Sequence, residues 1–240
     1  MKKFKRVLAL AMAVILSVPT IITTGMGTVP VKAAGDTVEL TVSSESAKYA
    51  GYETRKMYAG GNYAYCVQPS KKTPQSGTYE KHYDVENYVS NAGDETQAVQ
   101  SRNLAYYCWG APGFNASYFP STWYDGSAMD DDKYIALSHI MLSFLVSYDE
   151  VGSMHGCNSS FKNWVYQNVL GYNANGDLVN GQATLPILRW SAAPASFKVY
   201  ILSTGSATQN ILGYEYTPTG TVSLSKTSAN TGITSGNSCY

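Results

Sequence analysis

Asp130-Asp-Asp-Lys-Tyr-Ile-Ala-Leu-Ser-His-Ile-Met-Leu-Ser-Phe-Leu-Val-Ser-Tyr148 is the stretch on which the fold turns. Its three aspartates give acidic N-cap character, because the unpaired amide groups and the positive dipole end of a helix favour carboxylates there. From Lys133 to Tyr148 the apolar residues Ile135, Leu137, Ile140, Met141, Leu142, Phe144, Leu145 and Val146 fall on nearly every side of a helical wheel. A helix without a polar face is buried on most sides. The segment is therefore expected as the central helix of a helical subdomain.

The flanks read differently. Thr37-Val-Glu-Leu-Thr-Val-Ser43 alternates apolar and polar side chains, the strand period, and Tyr49 to Tyr58 is a weaker second strand. Gly60-Gly61-Asn62 signals a turn, after which Tyr63-Ala-Tyr-Cys-Val67 reads as a short strand ending at Pro69. Ser70 to Gly77 has no periodicity and is read as loop. Glu95 to Trp109 has helical spacing and is stopped by Gly110-Ala-Pro-Gly113, and Phe161 to Leu170 is a further short helix. Ala195 to Ser203 and Ile211 to Tyr216 form a hairpin across Gly205-Ser206. Strands on both sides of a helical insert define an α+β fold: an antiparallel, barrel-like sheet carrying an inserted helical subdomain.

The N-terminus carries an export signal. Lys2, Lys3, Lys5 and Arg6 precede an apolar run from Val7 to Val18, too short to span a bilayer. Val31-Lys32-Ala33 is a cleavage site, so residues 1–33 are read as a signal peptide and the protein as secreted, with no membrane insertion afterwards. Removal of that segment takes five of the 17 basic residues and none of the 17 acidic ones, leaving a mature net charge of −5. This excludes nucleic acid as a natural partner. The four cysteines show no Cys-x-x-Cys spacing and the three histidines are scattered, so neither a metal nor another cofactor is expected. In an oxidising compartment Cys108 and Cys157 are the best pair for a disulfide. The 20 tyrosines suit either a binding surface or a polar β-scaffold.

Tyr65-Cys66-Val67-Gln68-Pro69, with the loop that follows it, resembles the thioester domains at the tips of Gram-positive surface adhesins and pili. The pattern Tyr134-x-x-Leu-Ser-His-x-x-Leu-Ser143 supports the likeness, which covers Val38 to Tyr216 within a domain expected at 36–217. The resemblance implies that Cys66 supplies a thiol and that a Thr-Gln-x-Ala motif on a buried helix supplies the acylating amide. It implies a host surface protein or glycan as partner, with covalent attachment through Cys66 where the acyl bond exists, and no enzymatic turnover. The sequence departs from the pattern at Ser138-His139, where Thr-Gln would stand, and an imidazole has no carbonyl to give. Thr96-Gln97-Ala98-Val99 offers an alternative amide at Gln97.

Two other readings compete with a surface-binding module. A cysteine beside a histidine is the minimum for an activated thiolate, which makes Cys66 and His139 a candidate thiol hydrolase or transferase pair. A purely structural surface module needs neither residue. Residues 219–240 carry a second resemblance: Gly220-x-Val-x-Leu-x-Lys226 is similar to the first strand of a SpaA/Cna-B-type β-sandwich domain. That likeness implies Lys226 as an isopeptide amine whose partners lie beyond Tyr240, and cell-wall anchoring through the same further part.

Overall fold

The computed structural model describes residues 36–172 and 192–218. The expected signal peptide at 1–33 and the expected second domain at 219–240, with Lys226, lie outside the described residues. Strands β1 (Thr37–Tyr49), β2 (Tyr52–Ala59), β3 (Asn62–Cys66) and β4 (Gly77–His82) come first. Helices α1 (Glu95–Tyr107), α2 (Asp131–Ser147) and α3 (Ser159–Asn168) follow, with a single helical turn at Glu150–Ser153. Strands β5 (Phe197–Leu202) and β6 (Ile211–Tyr216) complete the sheet. The strands close into an antiparallel barrel in the order β1-β2-β3-β6-β5-β4, which gives the α+β architecture with a helical insert between β4 and β5.

Each helix begins where a short polar side chain can accept from an otherwise unpaired amide. Asp94 accepts from Gln97 N, Asp130 from Lys133 N and Asn158 from Phe161 N. Every residue of α2 from Ile135 to Val146 is buried, as a helix without a polar face requires. It ends in an αL motif: Tyr148 is left-handed (φ 50°) and its amide bonds Phe144 O, while the Asp149 amide reaches back to Ser143 O.

Two cores result. A small one fills the barrel with Leu40, Met57, Ala64, Tyr200 and Ile211. The larger one lies between the barrel and the helices and holds the apolar faces of α2, Tyr63 and Tyr65. Tyrosine hydroxyls bolt the two layers together: Tyr65 donates to Trp109 O (2.9 Å), Tyr214 to Gly110 O (2.7 Å) and Tyr49 to Ser153 O (2.7 Å). These tyrosines are scaffold. Gly110 is needed at its turn, since at φ 84° a Cβ there would stand 2.8 Å from Tyr63 Cβ.

The main departures from the sequence reading are in the sheet. β1 runs on past Ser43 to Tyr49, because an irregularity between Val42 and Ser46 shifts the register and restores inward burial at Ala47 and Tyr49. β4 takes over the end of the supposed loop. Its residues are half exposed without alternation, and it is held by pairing with β1 and β5 rather than by an apolar face. Among the described residues no helix is long and apolar enough to cross a membrane.

Candidate functional site

Cys66 is the last residue of β3 and pairs with Ile211 of β6. The residue stands at the seam of the two cores, between Tyr65 and Val67 of the larger one, and its sulfur packs in the barrel core, 3.9 Å from Met57 Sδ and hydrogen-bonded by Thr54. Burial pushes the thiol up to about 12, so it is a neutral thiol at physiological pH.

Helix α2 packs on β1 and β3 and approaches Cys66 through its backbone. His139 is buried, with its ring stacked over Tyr52 at 6.2 Å between centroids. The ring hydrogen-bonds the Cys66 backbone, whereas Nε2 is buried without a partner. Ser143 Oγ lies 3.4 Å from the Cys66 carbonyl and donates to His139 O at 2.7 Å. Burial pushes His139 down to about 4, the Cys66 hydrogen bond opposing, so the imidazole is neutral at pH 7. A thiolate–imidazolium pair needs both shifts reversed, a low thiol and a high imidazole. The sequence-predicted neighbours are brought together, but through the backbone of Cys66 and not its sulfur.

Gln97 has a different task. Its Nε2 donates to Ser90 Oγ (2.9 Å) and to Leu145 O (2.6 Å), and its Oε1 accepts from Asn91 N (3.3 Å). Leu145 O belongs to the last turn of α2, whose carbonyls have no helical partner. Gln97 is thus a buried C-terminal cap for α2, with its amide spent nearly two turns beyond His139.

The expected Cys108–Cys157 disulfide is not made: both are free thiols. Each is enclosed by a different element. Cys108, following α1, meets the Ser138 hydroxyl, and Cys157 lies 3.8 Å from Tyr49 O at the end of β1. Burial raises Cys108 to about 12, which leaves on the order of one thiolate in 10⁴ at pH 8. Iodoacetamide is expected to alkylate Cys108 at least about a hundredfold more slowly in the native protein than in denaturant, read by peptide mass. Equal rates would contradict its burial.

Gln209 is the residue that sequence reasoning missed. It is 4% exposed and its Oε1 has no hydrogen-bond partner. It stands two residues before Ile211, and the ladder continues past the Cys66–Ile211 pair through Val67 N to Asn210 O at 3.2 Å. That places Gln209 opposite Gln68 and diagonal to Cys66, a separation that long side chains span across a sheet. Its backbone is pinned at both ends, by Lys72 O on its amide (3.0 Å) and by Thr204 Oγ1 on its carbonyl (2.7 Å). Gln68 Oε1, by contrast, is occupied by Asn210 N. One signal was available: Thr208-Gln209 is the second Thr-Gln dipeptide of the chain, just before an apolar strand.

A buried thiol and, on the diagonal of the same ladder, a buried carboxamide with a free carbonyl are the two groups an internal thioester requires. Residues 37–175 match the thioester domain family, and the chain belongs to that family. A solved structure similar to it is the N-terminal domain of the Streptococcus pyogenes pilus tip adhesin Cpa, at 15% identity and a TM-score of 0.44. The likeness covers 75% of this chain and 94% of that one. No curated protein matches the chain.

Proposed function

We propose that this chain is an exported surface-binding domain, of the adhesin or pilus-tip kind, whose internal thioester joins Cys66 to Gln209. The observation that carries this reading is the free, buried Gln209 carbonyl beside the strand that pairs with Cys66. The other candidates offer no acyl group: His139 has no carbonyl, and the Gln97 amide is committed to α2. In the bond-forming step Cys66 Sγ attacks Gln209 Cδ and the C–N bond breaks. The thiol proton leaves with the amide nitrogen as ammonia. A primary amine on a partner surface then attacks the same carbon, forms an amide with Gln209 and returns the thiol. Burial of both residues protects such an acyl group from water until a nucleophile reaches it.

The hydrolase reading is disfavoured by the same geometry, since neither the thiol nor the imidazole is poised for turnover. Secretion, cell-wall attachment and a host partner complete the proposal and rest on the signal peptide and the family.

Intact-mass measurement tests the bond. The mature protein is expected one ammonia lighter than its sequence, and methylamine should add its full mass and expose one thiol. Gln209→Ala should abolish both effects, whereas Gln97→Ala should leave them intact. An unshifted mass with no methylamine uptake would sink the thioester. Loss of the effect in Gln97→Ala but not in Gln209→Ala would reassign it.

A further inference from the structure

A cleft of about 410 Å³ opens on the helical layer, between α3 and the segment that follows a short 3-10 turn at Ala116–Tyr118. It contains none of the residues of the Cys66 seam. Its size lies within the range of small-molecule sites. Trp164 and Tyr118 supply flat rings, Pro120 an apolar edge, and Ser121, Thr122 and Asn168 the polar groups.

Three features define what such a cleft accepts. First, no lining side chain is charged, so nothing there would neutralise a phosphate, a sulfate, a carboxylate or an ammonium group. Second, the platform is rigid before any ligand arrives. Trp164 is stacked on Phe161 (6.3 Å, 25° between planes) and packed on Trp123 (5.4 Å). Tyr118 meets Tyr107 edge-on at 5.4 Å, and Asn115 pins the turn by accepting from Ser117 N. Rings held in this way lose little freedom on binding. Third, the polar groups remain available. Asn168 Nδ2 donates to Trp164 O (3.0 Å), which fixes the side chain while its Oδ1 stays unbonded among the described residues. The Ser121 and Thr122 hydroxyls and the Trp164 indole N–H likewise make no hydrogen bond to the described residues.

Flat apolar rings bordered by neutral donors and acceptors complement a molecule with an apolar C–H face and a rim of hydroxyls. We propose that this cleft binds a neutral sugar unit of an oligosaccharide, seated on the Trp164 ring and hydrogen-bonded through Ser121, Thr122 and Asn168. The assignment extends the surface-binding reading by naming a ligand class, and it does not depend on the thioester.

An array of immobilised oligosaccharides tests it, with galactose-, glucose- and N-acetylglucosamine-terminated chains beside sialylated and sulfated counterparts, probed with the secreted full-length chain. Retention on at least one neutral group is expected, with a loss of tenfold or more in Trp164→Ala. Because Trp164 also packs on Phe161, the surface double variant Ser121→Ala/Asn168→Ala is measured too, and should lose several-fold at an unchanged melting temperature. Cys66→Ala should bind the array like the parent, so failure here is distinct from failure of the mass test. No retention on any neutral sugar overturns the proposal, as does equal binding by both cleft variants or a requirement for sialic acid or sulfate.

Discussion

Replacing Gln97 with alanine is expected to destabilise the domain by about 3 kcal/mol and lower its melting temperature by roughly 10 °C. The loss has two physical sources. The amide satisfies Ser90 Oγ, Asn91 N and the Leu145 carbonyl, and a buried polar group left unpaired costs about 1–3 kcal/mol. The side chain is fully buried, so its removal also leaves a void between α1 and the end of α2. Thermal unfolding followed by circular dichroism reads the effect. The same variant should keep its methylamine-sensitive mass, which separates a capping residue from an acyl donor. A melting temperature within a degree or two of the parent would remove Gln97 from the scaffold.

The second large effect is a loss of stability in acid, centred on His139. Its folded pKa of about 4 lies below the ordinary value of 6.5, because burial disfavours the imidazolium. The unfolded chain therefore takes up a proton as pH falls through 6.5, while the folded chain resists until about 4. Stability from this group is complete above pH 6.5 and declines between 6.5 and 4. Each pH unit of separation contributes about 1.4 kcal/mol, so the total loss is roughly 3 kcal/mol by pH 4. Melting curves from pH 7 to pH 4 should converge on those of His139→Gln after the parent's steeper fall. Parallel curves for the two proteins would contradict the burial of a neutral imidazole.

The helical insert was the most legible part of the fold. Asp130 caps α2 as its position before an apolar run demanded, and the all-round apolarity of Ile135 to Val146 translated directly into burial. Strands with clear alternation, β1 at its start and β5 with β6, were also readable. β4 was not, because its half-exposed residues carry no periodic signal and its place is fixed by neighbours distant in sequence. Asn115 and Asn158 cap a 3-10 turn and α3.

The candidate site was half legible. Tyr65-Cys66 on a strand end pointed to the thiol, and the departure at Ser138-His139 was visible at once. The amide was not, because only the pairing of β3 with β6 puts Gln209 on the diagonal from Cys66, and a helical Thr-Gln drew attention instead. A dipeptide is a weak signal until the ladder that uses it is known. The abundance of tyrosine was ambiguous for a similar reason. Only the layer contacts of Tyr49, Tyr65 and Tyr214 distinguish a bolt from a binding surface.

The barrel order has a mechanical consequence. β6 is the last of the described strands, and it is flanked on one side by β5 and on the other by β3. Tension along β6 loads two hydrogen-bond ladders at once, and the β3 ladder runs through the Cys66–Ile211 pair to Val67 N on Asn210 O. Lys81 adds a crosspiece by gripping Glu215 at 2.5 Å and Asp36 at 3.2 Å, so β6 is tied to the residue that leads into β1. A covalent link from Cys66 to Gln209 would join β3 to the segment entering β6 at the far end of that strand. The domain would then carry shear through a cross-linked strand pair, and the bond that stores an acyl group would also act as a rivet until a partner's amine releases it.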